Sequence, residues 1–535
     1  MMLNQKSKFD LRISFIKNDA WSLISLEQRA ETKQNLHAIC CIIWNLFLKR
    51  FLHWSDSIKI DRPAQLTESS SIIFFSKKVR IPMTALFRFL SLSCLLILLV
   101  PAPGYSQLVP ETSFPIVGMH DSIQADLDSK PGKMLFLPAG DYEISAKIII
   151  RSDGSGLYGP GRIIQTNPDA PFIEIENRAR VQFRDLVLTR PDQKQNTPTE
   201  AIKASGCRDL VLDNITVLNH RTRSGVLYLQ NCKNATIRNC TITNYMQISI
   251  DDRTHSPDWG YAFHCIDGSG IVVTSSTGTR IQGNRITEQD LLPTREVQKK
   301  FKLGQFVKKN KTKGTLTSLQ TWERETVKNW HQGSAIIVTS PAISDQTQIL
   351  GNTIENAAQG IDLHADHVIV SQNIVSNCFV GMKAMHGSRH VLIISNQFIK
   401  NDLWSIGLMP GAASYGSRKA DKDQPARDDN GDGGSIIANN IISEFGYGNA
   451  HWIWGDNGNP ILLDAGQKPD NPPLTKVIIQ GNIVQNSGRL QALEEQQAPR
   501  YVYAVRVAQK ATDIHFSHNI LDAGREGVCN IELKK

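Results

Sequence analysis

Two neighbouring segments of the chain concentrate side chains that can do acid–base chemistry. One reads Gln359-Gly-Ile-Asp-Leu-His-Ala-Asp-His367, and the other reads Val380-Gly-Met-Lys-Ala-Met-His-Gly-Ser-Arg-His390. A histidine can take up a proton near neutral pH, and a lysine or arginine can neutralise a carboxylate. If the segments are adjacent strands aligned at Gly360 and Gly381, Asp362 lies beside Lys383, about 4.8 Å away. The predicted catalytic residues are Asp362, His364, Lys383, His386 and Arg389.

The same residues have a simpler interpretation. Asp362 with Lys383, and Asp366 with Arg389, could form a ladder of surface ion pairs, each of which contributes little to stability. Alternatively, Asp362 could orient Lys383 or a histidine, or share a calcium ion with Asp366. The sequence leaves these alternatives open.

The strands that position these residues belong to a repeat. Short segments of alternating apolar residues surround an asparagine, and neighbouring asparagines are 21–25 residues apart where no insertion intervenes. Alternation with a period of two predicts strands, and a fixed repeat of this size predicts stacked coils. We therefore expect an all-β parallel β-helix in which the asparagines form an internal amide ladder. The predicted ladder residues are Asn214, Asn239, Asn284, Asn352, Asn373, Asn396, Asn440, Asn482 and Asn519.

The region before the repeat carries a family resemblance. It contains Asp121-Ser-Ile-Gln-Ala-Asp-Leu127, then Met134-Leu-Phe-Leu-Pro-Ala-Gly-Asp141 and a glycine-rich turn over 154–161. These segments resemble the start of the pectate lyase superfamily. The resemblance implies a right-handed parallel β-helix with an N-terminal capping helix. It does not imply one activity, because that superfamily includes lyases, hydrolases, epimerases and phage spikes.

A second resemblance lies in the catalytic candidates. Gly360-Ile-Asp362-Leu-His364 is similar to the Gly-Phe/Ile-Asp-Pro-His motif of β-helix mannuronan C-5 epimerases, with Leu363 in the place of the proline and Gln359 in the place of a preceding tyrosine. The resemblance implies that Asp362 and His364 are catalytic. Lyases and epimerases both remove the C5 proton of a uronate, so the substrate carboxylate must be neutralised. We expect His364 to be the base and Lys383 and Arg389 to neutralise the carboxylate, with lyase and epimerase not separated.

Two further segments are candidate substrate contacts. Asp251-Asp252 at a strand end resembles the acid and base pair of polygalacturonases, but it could also bind calcium or cap a turn. Trp452 and Trp454 alternate on one strand face, where they could stack on sugar rings or pack a loop against the coils.

Two insertions interrupt the predicted coils, at 285–333 and 410–434. The first is rich in lysine and is either a solvated excursion or a basic flap over an anionic glycan. The second contains Asp428-Asp-Asn430-Gly-Asp432-Gly, which matches the opening of a calcium loop, although Asn439 stands where the bidentate glutamate belongs. Calcium is therefore a possible cofactor, with Asp366, Asp428, Asn430 and Asp432 as candidate ligands.

The start of the chain indicates export. Residues 83–106 combine Arg88, an apolar run over 89–100 and small residues before Gln107, which is the pattern of a signal peptide. Residues 1–82 are then predicted to be a non-native upstream extension, and 107–535 are predicted to form the β-helix domain. Of the net charge of +8, residues 1–82 carry +6, with 13 basic and 7 acidic residues. The remaining near-neutral domain does not favour nucleic acid as a partner.

Together these patterns predict a secreted or periplasmic, cell-envelope protein. The expected partner is an acidic polysaccharide, with no membrane association after signal cleavage and an oligomeric state that the sequence does not determine. The alternatives are a non-catalytic glycan-binding β-helix of the cell surface and a polygalacturonase-like hydrolase. Six cysteines in 107–535 are too few for a disulfide scaffold. Cys207 and Cys232 are expected on adjacent coils, as a buried pair or a disulfide.

Overall fold

The computed structural model describes the backbone of 12–18 and 21–27, and then residues 122–532 except 252–260, 309–329, 342, 449–456 and 487–498. The chain divides into two units, residues 1–107 and 108–535. The described part of the first unit is a pair of antiparallel strands, Arg12–Asn18 and Trp21–Glu27. The predicted signal peptide lies outside the described residues, so that assignment stays a prediction.

The described residues of the second unit form three parallel sheets with twelve strands each, besides smaller elements. Sheet 1 contains Met134–Phe136, Gly156–Tyr158, Gln182–Arg184, Val211–Asp213, Thr236–Arg238, Arg280–Gln282, Gln348–Leu350, Ile369–Ser371, Leu392–Ile394, Gly433–Ala438, Thr475–Gln480 and Thr512–Ser517. Sheet 2 contains Asp141–Ile144, Arg162–Gln165, Val187–Thr189, Thr216–Leu218, Thr241–Thr243, Arg285–Thr287, Thr353–Glu355, Ile374–Ser376, Gln397–Ile399, Ile441–Ser443, Ile483–Gln485 and Ile520–Leu521. Sheet 3 contains Ile148–Ile150, Ile173–Glu176, Ile202–Ser205, Gly225–Gln230, Ser269–Thr274, Ser334–Thr339, Gln359–Leu363, Val380–Ala384, Trp404–Leu408, Ile461–Leu463, Tyr503–Val507 and Gly527–Cys529.

The chain visits the three sheets in turn, and each strand pairs with its counterpart one coil later. This is the parallel β-helix that the repeat predicts. Alternation along each strand sends one set of side chains inward, where columns such as Ile336, Ile361, Met382 and Ile406 are fully buried. The intervening residues of sheet 3 face outward and are available for function.

Seven of the nine predicted ladder asparagines form the ladder. From Asn352 onward, each Oδ1 accepts hydrogen bonds from the backbone N–H and the Nδ2 of the preceding asparagine; for Asn373 and Asn352 both distances are 2.9 Å. The ladder contains Asn284, Asn352, Asn373, Asn396, Asn440, Asn482 and Asn519. Because each ladder side chain hydrogen-bonds to its neighbours, the amide groups of the ladder are paired although the turn is buried.

The prediction was wrong for Asn214 and Asn239. Both are exposed and lie one position earlier in the coil, at φ values of 53° and 57°. The ladder position itself is occupied by Ile215 and Cys240, and the Cys240 N–H donates to Asn284 Oδ1 at 2.9 Å. Asparagine suits this turn because it tolerates positive φ, which is a different reason from the ladder.

Cys207 and Cys232 lie on adjacent coils, next to the paired residues Arg208 and Lys233. Both are buried and both are free thiols. Their expected stacking is therefore confirmed, as a buried pair without a disulfide.

A short helix, Ile123–Ser129, precedes the first coil, as the resemblance implies. Its N-cap is Ser122, whose Oγ accepts from the Ala125 N–H at 3.1 Å. The side chain of Gln124 donates to the Ile149 carbonyl and accepts from the Ile149 N–H, at 3.0 and 2.7 Å. The helix thereby satisfies a backbone edge of the first strand of sheet 3, which would otherwise offer unpaired groups.

The insertions depart from the coils at slightly different points from those expected. Arg285–Thr287 is still a strand of sheet 2, so the first insertion begins after it. It includes the helix Arg295–Phe301 and the strand Phe306–Lys308, which joins Tyr261–Asp267 and Gln247–Asp251 in a small antiparallel sheet.

A further parallel pair is Asn196–Thr197 with Arg221–Thr222. Among the described residues, no helix is long and apolar enough to cross a membrane.

Candidate active site on sheet 3

Asp362 and Lys383 are paired positions on adjacent strands of sheet 3, as the glycine alignment predicts. Their side chains form an ion pair with 3.4 Å between Lys383 Nζ and Asp362 Oδ2. Both side chains are largely buried, with 6% of Asp362 and 17% of Lys383 exposed. A charge pair this well shielded interacts more strongly than one at an open surface.

His364 completes a compact group with this pair. Its Nε2 lies 3.0 Å from Asp362 Oδ1, and its Nδ1 lies 3.2 Å from the Thr339 hydroxyl. Burial opposes ionisation of Asp362, but Lys383 and His364 outweigh it, so the pKa of this carboxyl lies below its usual value. The carboxylate is therefore ionised and is an electrostatic partner of the imidazole, but Asp362 Oδ1 and His364 Nε2 are not aligned as a hydrogen bond.

His386 packs against His364. The two rings meet edge to face with 4.5 Å between centroids. His386 Nδ1 accepts from the Ala413 N–H at 3.1 Å. Burial, helped by His364 and Lys383, lowers the pKa of His386 to about 4, so this ring is neutral at neutral pH. Its Nε2 then carries the proton and is a hydrogen-bond donor.

One cavity adjoins the group through Lys383, and a second cavity adjoins the first. One, of about 120 Å³, is lined by His331, Gln359, Phe379, Val380, Lys383, Leu403 and Trp404. The other, of about 480 Å³, shares Leu403 and Trp404 with it and also contains Asp464 and Arg506. The two spaces therefore share Leu403 and Trp404 as part of their walls.

The sequence analysis missed Trp404 and Arg506. Arg506 lies in the same outward column as Lys383, which runs through Gly407 and Leu462 to Arg506. Aligning the next strand could have located this region, since Trp404 pairs with Val380 and Gly407 with Lys383. Reaching Arg506 from sequence would have required the correct register across the insertion that ends before Gly433, whereas Trp404 lies before that insertion.

Arg389 lies apart from this group. Its Nε and Nη2 donate to Asp366 Oδ2 at 3.2 and 3.0 Å, in a turn beyond the end of sheet 3. His390 Nδ1 lies 2.8 Å from Asp366 Oδ1. The structure thus brings together four of the five predicted catalytic residues and places Arg389 in a second cluster with Asp366.

The other predicted contacts are only partly described. Asp252, Trp452 and Trp454 lie outside the described residues, and of Asp251 only the backbone is described, paired with Phe263 in the small antiparallel sheet. Their predicted roles stay predictions.

The predicted calcium loop folds as an antiparallel excursion in which Tyr415 pairs with Asn430. Asp432 Oδ1 accepts from the N–H groups of Gly387 and Ser388, each at 3.0 Å, and Oδ2 accepts from the Ser414 hydroxyl. Asn430 Nδ2 donates to the Ala413 carbonyl at 2.9 Å. Asp428 is exposed. Since protein donors already use both oxygens of Asp432, a calcium ion here would have to displace them; calcium stays a prediction.

Comparison with known proteins gives the hand of the coils. The family model described as "Right handed beta helix region" matches residues 169–398. The β-helix is thus right-handed, and the predicted likeness to the pectate lyase superfamily is confirmed at the level of fold. No curated protein matches the sequence.

Solved structures resemble the β-helix at low identity. They include the Dettilon tailspike protein, at 14% identity and a TM-score of 0.45, with 76% of this chain and 63% of that chain covered. An α-1,3-glucanase catalytic unit from Streptomyces thermodiastaticus has 11% identity, the same coverage and a TM-score of 0.45. A mannuronan C-5 epimerase A-module from Azotobacter vinelandii has 12% identity, 75% and 94% coverage and a TM-score of 0.39. The β-helix spans less than two thirds of the tailspike and glucanase chains. These likenesses concern the fold alone.

Proposed function

We propose that the protein acts on an acidic polysaccharide and removes the C5 proton of a uronate residue. The observation that carries this proposal is the group of Asp362, His364 and Lys383 on the outward face of sheet 3. It combines a buried carboxylate, an imidazole 3.0 Å from it and an ammonium 3.4 Å from it. An exported β-helix with this group would meet such polysaccharides at the cell envelope or outside the cell.

Lys383 is suited to neutralise the substrate carboxylate. Loss of the C5 proton places negative charge on that carboxylate, and a preorganised cation in a shielded site stabilises it. The Lys383 side chain reaches the smaller cavity, whose walls are partly apolar. The ammonium has three donors, and one interaction with Asp362 leaves the others for a substrate.

His364 is suited to be the base through Nδ1. We place the imidazole proton on Nε2, the side that faces Asp362 Oδ1, so that the lone pair is at Nδ1, beside the Thr339 hydroxyl, which can rotate away. When Nδ1 takes up a proton, the adjacent carboxylate stabilises the imidazolium. His386 is neutral beside it, so it adds no opposing charge.

A lyase and an epimerase differ in the next step. A lyase expels the C4 oxygen and leaves a double bond between C4 and C5, whereas an epimerase returns a proton to the opposite face of C5. In either step the Nε2 donor of His386 would assist, by binding the departing oxygen or by delivering a proton. The reaction test below separates the two.

A hydrolase is less well supported at this group. A glycosidase needs a protonated carboxylic acid as general acid, which requires a raised pKa. The pKa of Asp362 is lowered instead. A non-catalytic glycan-binding protein would need only the two cavities and Trp404, without the acid–base group.

The test is an assay of the purified full-length protein on alginate, pectate and glycosaminoglycans, with and without calcium. We expect either a rise in the absorbance of unsaturated uronate or, without it, deuterium incorporation at C5 seen by proton NMR. A rise identifies a lyase and its substrate, and exchange alone identifies an epimerase. If neither the absorbance nor deuterium incorporation changes while polysaccharide binding is retained, the catalytic proposal is overturned in favour of a binding protein.

Variants assign the residues. His364→Ala should abolish the activity, and Lys383→Ala should lower kcat/KM by about 10²–10³-fold, which is typical of losing one group that stabilises developing charge. His515→Ala is the matched control, because His515 is an exposed histidine on sheet 1. Full activity in His364→Ala would exclude this residue as the base.

A further inference from the structure

We propose that the larger cavity beside Trp404 binds a second acidic sugar of the same polysaccharide chain, with Arg506 as the residue that binds its carboxylate. The proposal rests on the acidic polysaccharide proposed above, and it adds a site that the group of Asp362, His364 and Lys383 does not use. The cavity holds about 480 Å³, which is within the usual range for cavities that bind small molecules.

Arg506 and Asp464 line this cavity and leave their charges available to a ligand. They come from adjacent strands of sheet 3, since Arg506 pairs with Leu462 and Asp464 follows two residues later. Among the described residues, Arg506 forms no hydrogen bond or ion pair, and the Asp464 side chain accepts only from the Ala465 N–H, at 2.7 Å. The wall of the cavity therefore offers a guanidinium and a carboxylate oxygen that the protein itself does not use.

Asn459 adds a buried amide to the same wall. Only 4% of this residue is exposed, and its Oδ1 accepts from the Tyr503 N–H at 3.1 Å, which orients the amide group. Its Nδ2 donates to no residue that the structure describes, although amides buried to this extent are normally paired. A ligand oxygen in the cavity is the acceptor that this donor lacks.

These groups suit a sugar acid better than a simple anion or a neutral sugar. A guanidinium binds a carboxylate through two parallel N–H bonds. The Asp464 carboxylate repels a second carboxylate but accepts from hydroxyl groups, and the Asn459 amide donates to them. A uronate presents both kinds of group, so its carboxylate would face Arg506 and its hydroxyls would face Asp464.

The outward column of sheet 3 connects this cavity to the reacting group. Lys383 and Arg506 both stand in the column and are three strand steps apart. Strand spacings of about 4.8 Å put about 14 Å between these two positions, which is further than one monosaccharide reaches. Trp404 lies between them, because a Cβ on Gly407 would come within 2.5 Å of Trp404 Nε1. The ligand is therefore a chain of sugars along the coil axis, with one carboxylate at Lys383 and another at Arg506.

The test is calorimetric titration with hexasaccharides of galacturonate and of mannuronate, and with cellohexaose as the neutral comparison. The full-length protein carries His364→Ala, so that the ligand stays intact and binding is measured without the reaction. We expect one of the acidic hexasaccharides to bind and cellohexaose to bind more weakly.

A further substitution of Arg506 tests its role. Arg506→Gln should weaken binding of the acidic hexasaccharide by about tenfold or more, as expected for losing hydrogen bonds between charged groups. Arg506→Lys should restore part of the affinity, because it keeps the charge but not the two parallel donors. The matched control is Arg280→Gln, since Arg280 is also an exposed arginine of the coils, on sheet 1. All variants should keep the melting temperature of the parent.

The outcomes for this site and for the reaction are distinct. Equal affinities of the Arg506→Gln and Arg280→Gln proteins for the acidic hexasaccharide would overturn the proposal, as would equal binding of cellohexaose or no binding at all. Weaker binding by Arg506→Gln, in a protein that neither exchanges the C5 proton nor forms unsaturated uronate, would support this site and overturn only the proposed reaction.

Discussion

Asp362 keeps its charge in a place where burial opposes ionisation. Its carboxylate is compensated by Lys383 and by His364, and 6% of its side chain is exposed. Asp362→Asn keeps the shape but leaves the shielded ammonium of Lys383 without its counterion. We expect this variant to lower the free energy of unfolding by about 1–3 kcal/mol, measured by urea denaturation.

The control for this prediction is the same substitution in an exposed ion pair. Asp141 pairs with Arg162, and about half of each side chain is exposed. Asp141→Asn should change stability little, because water solvates both partners when the pair is broken. Equal effects of the two substitutions would mean that Asp362 is no more dependent on its partners than a surface residue.

Trp404 is the residue through which binding and catalysis can be separated. It lines both cavities but lies outside the group of Asp362, His364 and Lys383. If its indole binds a sugar next to the reacting residue, Trp404→Ala should raise KM about tenfold and leave kcat nearly unchanged, because aromatic contact contributes about 0.5–1.5 kcal/mol beyond burial. Steady-state kinetics measures this, with Trp404→Phe as the conservative variant. An unchanged KM in Trp404→Ala would exclude a substrate contact.

Among the structural elements, the asparagine ladder ties each coil to the next. Asn373 accepts from Asn352 and donates to Asn396 Oδ1 and the Ile349 carbonyl, all without access to water. Asn373→Ala leaves several of these groups unpaired, so we expect a loss of about 2–4 kcal/mol in the free energy of unfolding. Chemical denaturation followed by circular dichroism checks it.

The last asparagine of the described ladder is the internal comparison. Asn519 is only partly buried and accepts from Asn482. Because water can replace its bonds, Asn519→Ala should cost about 1 kcal/mol or less. A loss as large as that of Asn373→Ala would show that the ladder acts through coil geometry, independent of burial.

The elements also explain which parts of the structure could be predicted. Alternation and the asparagine repeat give the strands and the pairing of Asp362 with Lys383, because register inside a stack is determined by which face is apolar. Asn214 and Asn239 were misplaced because asparagine serves both as a ladder residue and as a turn residue with positive φ. Arg389 was misplaced because alternation stops at the end of a strand, and the direction of a turn side chain follows from contacts that the pattern does not contain.

For the whole molecule, buried histidines couple stability to pH. Burial lowers the pKa of His220 to about 3, that of His331 to about 3 and that of His386 to about 4. In the unfolded chain each has a pKa of about 6.5, so acid protonates the unfolded state first. The free energy of unfolding therefore falls as pH drops below about 6.5, and stops falling for each residue near its folded pKa.

His220 offers the cleanest test of this coupling. Its Nδ1 accepts from Arg190 Nε at 3.0 Å, and its Nε2 lies 3.0 Å from the Thr199 carbonyl, so the neutral ring is held from both sides. A proton on Nδ1 would displace the buried guanidinium as well as cost desolvation. His220→Gln retains an acceptor and a donor but cannot titrate.

We expect the unfolding free energy of the wild type to fall more steeply with acid than that of His220→Gln, by about 1.4 kcal/mol per pH unit between about pH 6 and pH 4. Urea denaturation at a series of pH values measures both slopes, and His515→Gln, at an exposed histidine, should keep the wild-type slope. Identical slopes for the wild type and His220→Gln would mean that the ring is protonated inside the folded coils. The Arg190 contact would then have to open, and the β-helix would tolerate a charge between its coils.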